Sequence, residues 1–139
     1  MELCAGQCRY LLCIYRLERE KTRIRCVDIA NDLGVTRPSV SKMMKCMVRM
    51  ELIEDDYVEA VRLTPKGREI AETFNKDYDL TYLFFRKVLR LSTTEAKDHA
   101  FLFLSTFPEG TVKKLGSVTS RTLERVRARS HPVEKERKM

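Results

Sequence analysis

The sequence predicts a mainly α-helical chain that folds as a winged helix-turn-helix with a two-stranded wing and a C-terminal helical dimerisation region. Two helical patterns flank a break at Gly34, a short alternating stretch follows near residues 52–63, and apolar residues then recur at helical spacing to about residue 107. Helix, turn, helix and a short hairpin in this order are typical of that fold.

The first two predicted helices cover residues 3–20 and 27–33. The first has a broad apolar face that ends in Arg and Glu residues. The second is closed by Gly34, which can adopt the left-handed conformation that a helix C-terminus favours. These features predict the first half of a helix-turn-helix.

The third predicted helix begins after Thr36 and runs to about Met50. Thr36 suits the N-cap position, and Pro38 falls in the first turn, where its missing N–H costs nothing. Apolar residues at spacings of three and four predict a buried face, which consists of Val40, Met43, Met44 and Met47.

The opposite side of this helix is polar and basic, as expected for a helix that enters the major groove of DNA. Near its start, Arg37 and Ser39 lie where side chains approach base edges, while Lys42 and Lys45 could contact bases or phosphates. The predicted DNA-binding residues are Thr36, Arg37, Ser39, Ser41, Lys42, Lys45 and Arg49.

A small hairpin is predicted at residues 52–54 and 58–63, around Asp55, Asp56 and Tyr57. This wing is acidic, so phosphate should repel it, and Arg62 is its only base. A long helix follows, with Thr64 as its cap and an end near residue 91.

Ser92 and Glu95 have capping-box spacing and open another helix, which should end near Pro108. One more short basic helix and a frayed tail are expected beyond Gly116. The predicted divisions are a DNA-binding domain at 1–66, a helical dimerisation region at 67–115 and a basic helix and tail at 116–139.

The 139 residues include 27 Lys and Arg against 20 Asp and Glu, a net charge of +7 that favours a polyanionic partner. The basic residues concentrate at 36–50, which has no acid, and after Lys113. No apolar run approaches the length of a membrane span, and Glu2 stands where a secretory signal would be basic. We therefore expect a soluble, cytoplasmic protein that does not bind membranes.

Five cysteines, at positions 4, 8, 13, 26 and 46, form neither a CxxC pair nor a Cys/His cluster. In a reducing compartment they are most simply small buried apolar residues. Cys4 and Cys8 would share a helix face, which permits a redox or soft-metal role, and oxidation of Cys46 could disturb the third helix.

Three stretches resemble the diphtheria toxin repressor family of iron- and manganese-dependent regulators, in the short form typified by MntR. They are "VDIANDLGVTRPSVSKMM", "LIEDDYVEAVRLTPKGREIA" and "FNKDYDLTYLFFRKVL", and the resemblance covers roughly residues 8–107. It implies a homodimer, joined through the helices after the wing, that binds a palindromic operator in double-stranded DNA when Mn(II) or Fe(II) is bound.

The metal ligands that the resemblance implies are not matched. Arg9 and Leu12 stand where the family has an acid pair or a Met, and Tyr78 stands where it has a His. Residues 100–108 contain none of the Glu, Cys or His ligands of the next helix. Mn(II) and Fe(II) require oxygen and imidazole donors, so we expect the family's site to be absent. Weaker metal candidates are Cys8, Asp79, Asp98 and His99, together with Asp77 and Cys13.

Apolar residues replace the ligands of that helix, and they include Leu102, Phe103, Leu104 and Phe107. Such a face must be buried, either in permanent dimer packing or around an apolar effector. With two histidines and no phosphate loop or nucleophile motif, the chain is not predicted to be an enzyme.

The sequence thus predicts a homodimeric, sequence-specific DNA-binding transcriptional regulator, a repressor, whose control by metal is doubtful. Two alternatives stay open. One is a winged-helix module that binds protein, and the other is a regulator gated by thiol oxidation or by an apolar effector.

Overall fold

The computed structural model describes residues 3–130, with side chains to residue 128; the predicted tail beyond lies outside the described residues. The chain divides between Lys76 and Asp77 into two compact units. The elements of the first unit are α1 (Ala5–Glu20), α2 (Cys26–Leu33) and α3 (Arg37–Arg49). After α4 (Pro65–Leu83), in which the division falls, come a π-helical turn (Phe84–Val88), α5 (Thr93–Thr106) and α6 (Glu109–Ser130).

The mainly α-helical class is confirmed, and the division into units falls inside α4 rather than at its start. None of the helices between residues 3 and 130 combines the length and apolarity needed to cross a bilayer.

The core of the first unit is built from the facing sides of α1, α2 and α3. Val40, Met44 and Met47 of α3 are fully buried, as the spacing predicts, while Met43 is half-buried at the edge. They pack with residues of α1 and α2 and of the segment after α3, which include Cys8, Leu11, Ile14, Ile29, Leu52 and Ile53. Burying apolar side chains of this size contributes about 1.5–3 kcal/mol each.

The turn between α2 and α3 has the predicted geometry. Gly34 adopts φ 67° and ψ 36°, in the left-handed region, and its N–H donates to the carbonyl of Ala30. The Val35 N–H donates to the same carbonyl at 3.1 Å. Only glycine enters this region without a steric cost, so Gly34 fixes the angle at which α3 leaves α2.

The end of α3 is closed by a second left-handed residue, Glu51, at φ 60°. The Leu52 N–H donates to the Met47 carbonyl at 2.9 Å, which completes a Schellman-type terminus. The Lys66 ammonium from the first turn of α4 donates to the Met50 carbonyl at 3.2 Å. Both ends of α3 are therefore held by specific hydrogen bonds.

The predicted two-stranded wing is not shown, because no strand forms among the described residues. A single antiparallel bridge joins Ile53 to Leu63, flanked by hydrogen bonds from Glu54 N to Arg62 O (2.9 Å) and from Thr64 N to Leu52 O (3.1 Å). A ladder does not extend because residues 55–59 form turns, and Val58, placed in a strand by its sequence pattern, is 85% exposed. The Val61 N–H donates to the Ile24 carbonyl instead.

The helix predicted to continue to residue 91 ends earlier, because its last turn widens. The Leu89 N–H donates to the Phe84 carbonyl at 3.1 Å, and the Leu91 N–H donates to the Phe85 carbonyl at 2.9 Å. Arg90, at φ 60°, then ends the helical path. These bonds to carbonyls five and six residues back are the signature of a π-turn and a left-handed cap.

The second unit continues with α5 and α6. The Ser92 hydroxyl accepts from the Glu95 N–H at 3.2 Å, which confirms the predicted cap of α5. The short helix expected beyond Gly116 instead begins at Glu109, and Gly116 lies inside it. Gly116 is buried near Leu80, so this glycine permits close packing rather than breaking the helix.

Replacing Gly67 tests the packing at the start of α4. A Cβ atom there would overlap the Leu52 carbonyl oxygen and lie 2.9 Å from its carbonyl carbon. We expect Gly67→Ala to lower the free energy of unfolding, measured by urea denaturation, by about 3 kcal/mol or more. Gly110→Ala, where the added methyl meets open space, is the control. Equal stability of the two variants would contradict this packing.

Candidate nucleic-acid interface

The solvent side of α3 presents the residues predicted to bind DNA. Arg37, Ser39, Lys42, Lys45 and Arg49 are exposed, together with the capping residue Thr36, while Ser41 is half-buried. Ser39, Lys42, Lys45 and Arg49 lie away from the buried stripe of the same helix, on its solvent side. Arg37 is in line with Val40 and Met44 but is exposed at the first position of the helix. The structure thus exposes the predicted residues, with Ser41 at the margin.

Thr36 organises the start of this face. Its hydroxyl oxygen accepts from the Ser39 N–H at 3.3 Å, and its hydroxyl lies 2.9 Å from that of Ser39. The cap satisfies one of the N–H groups that a helix start leaves without a partner. Ser39 is therefore held in place before any ligand arrives, and the predicted N-cap is confirmed.

The charge on the α3 face is not compensated. Among the described residues, no ion pair involves Arg37, Lys42, Lys45 or Arg49, and residues 36–50 contain no acid. Some other cations of the first unit are neutralised: Arg68 binds Glu18 at 2.6 Å, and Lys21 binds Asp28 at 2.7 Å. The face is therefore a local concentration of positive charge suited to a polyanion.

A contact that sequence reasoning missed joins α1 to α3. The Gln7 side-chain amide lies 3.5 Å from both Cys46 Sγ and Met50 Sδ, and its oxygen accepts from the Cys4 N–H at 3.0 Å. The Cys4–Gln7 spacing resembles a capping box, which is the only local signal for it. Gln7 therefore helps to position the last turn of α3.

The hairpin region beside α3 remains acidic. Glu54, Asp55, Asp56 and Glu59 are exposed, and Asp56 forms an ion pair with Arg62, the only base between residues 52 and 63. This pairing removes the one group that could attract phosphate. Direct contact of the hairpin side chains with a DNA backbone is therefore electrostatically unfavourable.

Three of the cysteines are poor candidates for a redox switch. Burial raises the pKa of Cys8 to about 12, and it also raises the pKa of Cys26. Burial also raises the pKa of Cys13, helped by its hydrogen bond to Asp32 Oδ2 at 3.1 Å. Because the thiolate is the reactive form, a raised pKa lowers the reactivity of these thiols at neutral pH. Cys46 is half-buried and Cys4 is exposed.

The residues at the family's metal positions do not fit Mn(II) or Fe(II). Leu12 is buried and supplies no donor atom, and Arg9 is a cation. Tyr78 is buried with its ring 4.8 Å from that of Phe101. Ala100 is also buried. These ions require carboxylate or imidazole ligands, so the family's donor set is missing from these positions.

The weaker metal candidates are not brought together. In the part of the chain that the structure describes, no group of three or more His, Cys, Asp or Glu side chains could hold an ion. Cys8 is buried in the first unit, as is Cys13, whereas the other candidates belong to the second. There Asp77 is bound by Lys113 at 3.0 Å, and Asp79, Asp98 and His99 are exposed.

Replacing Thr36 tests the cap that organises this surface. Thr36→Ala should lower the free energy of unfolding by about 1 kcal/mol, because the Ser39 N–H loses its partner, whereas Thr36→Ser keeps the hydroxyl and should cost much less. Urea denaturation of both variants measures the difference. Identical midpoints for the two would show that the cap adds nothing.

Known DNA-binding regulators are similar to this chain in sequence and in structure. Residues 3–61 match the family described as iron-dependent repressor, N-terminal DNA-binding domain. The transcriptional regulator MntR of Escherichia coli O6:H1 is 36% identical over 75 residues, which cover 54% of this chain and 48% of that protein. The MntR of Geobacillus kaustophilus is 34% identical over 79 residues, covering 57% of this chain and 56% of that protein.

A solved structure of the manganese regulator SloR superposes with a TM-score of 0.72 and 27% identity, over 82% of this chain and 53% of that one. The chain thus spans about half the length of the relatives it matches. These relatives are transcriptional regulators and not enzymes, in agreement with the prediction. Residues 3–61 are thus similar to the N-terminal DNA-binding domain of iron-dependent repressors, which confirms the predicted resemblance for this part of the chain.

Proposed function

We propose that this chain is a sequence-specific DNA-binding transcriptional regulator that represses its targets as a homodimer. The observation that carries the proposal is the exposed face of α3, with four uncompensated cations and two hydroxyl groups. The match of residues 3–61 to the DNA-binding domain of iron-dependent repressors supports the same conclusion.

The exposed α3 residues have two proposed roles, base contact and phosphate contact, according to their position along the helix. Arg37 and Ser39 lie in the first turn, where a recognition helix contacts base edges, and an arginine there can donate two hydrogen bonds to guanine. Lys42, Lys45 and Arg49 follow and supply phosphate contacts that set the register on the duplex. Two copies related by two-fold symmetry would then favour a palindromic operator.

We propose that DNA binding does not depend on Mn(II) or Fe(II) at the family's metal positions. Several similar regulators are described as manganese-dependent or manganese-activated, but here Leu12, Tyr78 and Ala100 provide no carboxylate or imidazole. The helices of the second unit instead hold aromatic clusters, in which the rings of Phe103 and Phe107 lie 4.5 Å apart. Apolar packing in place of an ion favours a dimer that assembles without a bound metal.

The proposed dimer contact is the exposed apolar surface of the second unit. Leu102 of α5 is 56% exposed and Phe107 is 49% exposed, and Val88 and Leu89 of the preceding segment are also exposed. We take these exposed apolar side chains as the interaction surface of this unit, because large exposed apolar surface is unfavourable in water. A second copy of the chain is the partner that the symmetry of a palindromic operator requires.

Removing two α3 lysines tests DNA binding. We expect Lys42→Ala with Lys45→Ala to weaken binding to a duplex selected from a random-sequence pool by at least about tenfold, measured by fluorescence polarisation. The slope of log affinity against log salt should fall by about 2, since each phosphate that the protein neutralises contributes about 0.9 to it. The control variant, Lys76→Ala with Lys97→Ala, removes the same charge from exposed sites outside α3 and should bind the duplex more tightly than the α3 variant.

Equal affinities for the two double variants would refute the assignment of α3. The titrations are run in EDTA and again with Mn(II), and unchanged affinity is expected. Strong activation by Mn(II) would show that an ion site exists after all. A folded chain that selects no duplex would instead support the protein-binding alternative.

A charge placed in the apolar surface tests the dimer. Leu102→Glu with Phe107→Glu should convert the chain to a monomer, because two partly exposed apolar groups would become like charges facing each other across a two-fold axis. Sedimentation equilibrium measures the mass of the assembly. Val58→Glu changes an even more exposed apolar residue of the first unit and should leave the dimer intact. A dimeric double variant would place the contact elsewhere.

A further inference from the structure

The outer side of α6 carries a row of polar and basic residues, here called the α6 ridge: Lys114, Ser117, Arg121 and Arg125. All four are exposed. Their spacings of three, four and four residues place them on one stripe of the helix, about 16 Å long at 1.5 Å per residue. The α6 ridge is therefore a continuous surface feature.

The packing of α6 does not use this side. Val112, Gly116 and Thr119 are buried on the opposite stripe, and the Thr119 hydroxyl donates to the Leu115 carbonyl at 2.8 Å. The hydroxyl is thereby satisfied within its own helix. Since the buried stripe holds the helix in its unit, the cations of the α6 ridge are not required for the fold.

The charge of the α6 ridge is not neutralised. Lys113, just beside it, binds the Asp77 carboxylate at 3.0 and 3.1 Å. No described residue forms an ion pair with Lys114, Arg121 or Arg125. Arg121 Nε donates only to a backbone carbonyl of its own helix, at 3.4 Å.

Like charges so close together oppose helix formation. Arg121 and Arg125 are four residues apart, a spacing at which like charges destabilise a helix. Only one acid, Glu124, occurs between Lys113 and Ala128. A charge excess that the fold neither needs nor neutralises is explained by a polyanionic ligand.

The shape of the α6 ridge suits phosphate groups. Its first half borders a shallow groove of about 440 Å³, lined by Lys113, Lys114, Ser117, Val118 and Arg121. Lysine, arginine and serine side chains are the groups that contact DNA phosphates without reading sequence. The length of the α6 ridge corresponds to roughly five base steps at 3.4 Å each.

We propose that the α6 ridge is a second DNA-contacting surface, which binds the phosphate backbone of a duplex irrespective of sequence. The inference rests on the proposed function, because duplex DNA is the polyanion that a regulator of this family encounters. It adds a source of non-specific affinity that is separate from the reading of bases by α3.

The test uses the full chain and a fluorescent random-sequence duplex, with binding measured by polarisation over a range of KCl concentrations. The variant Lys114→Ala/Arg121→Ala/Arg125→Ala should bind at least about tenfold more weakly, and its salt slope should fall by about 2–3, at about 0.9 for each phosphate no longer neutralised. The control Lys76→Ala/Lys87→Ala/Lys97→Ala removes three exposed lysines from other sites.

The sequence selected from a random pool provides the second readout. The α6 ridge variant should enrich the same bases as the unmodified chain, because α3 is intact, whereas Arg37→Ala should change them. Circular dichroism checks that each variant is folded. If the triple variant unfolds, Arg121→Gln alone tests the inference, with an expected change of about 1 in the salt slope.

Three results would overturn the inference. If the α6 ridge and control variants bind random duplex equally, the α6 ridge makes no contact, while the proposed function survives through α3. Binding to phosphatidylserine vesicles is measured in parallel, and if the α6 ridge variant loses binding to the vesicles but not to the duplex, the partner is a membrane surface. If the unmodified folded chain binds no duplex at all, the proposed function fails and the inference fails with it.

Discussion

The buried stripe of Val40, Met44 and Met47 is the interaction on which the rest of the first unit depends. It seats α3 on α1 and α2 and leaves the cations of the other side in water. The ends of the helix are fixed separately, by the Thr36 cap and by the Lys66 bond to the Met50 carbonyl. A helix held along its length and at both ends can present side chains to a groove with little loss of conformational entropy on binding.

Local signals make most of the helices and the candidate surface predictable. The Gly34 turn, the Thr36 and Ser92 caps and the α3 faces all follow from short-range spacing. The extent of pairing in the wing is not predictable in this way, since strand pairing depends on two segments and on which carbonyl accepts from each N–H. The predicted start of α6 is misplaced because a glycine usually indicates the end of a helix. The sequence alone does not show that Leu80 packs against Gly116.

The positions that the resemblance aligns with metal donors are occupied by side chains that do not bind Mn(II) or Fe(II). Two of them, Leu12 of the first unit and Tyr78 of the second, are buried. A buried carboxylate without an ion is costly, whereas an apolar side chain at the same place stabilises the fold. Such replacements therefore need not disturb the helices around them.

The arrangement of the thiols has a practical consequence for measuring motion. Cys4 is exposed, whereas Cys8 and Cys13 lie in the core as protonated thiols. A thiol-specific reagent will modify Cys4 at once but will reach the core pair only when α1 separates from its neighbours. The rate of the slow phase of labelling thus reports the rate at which the first unit opens, without any added probe.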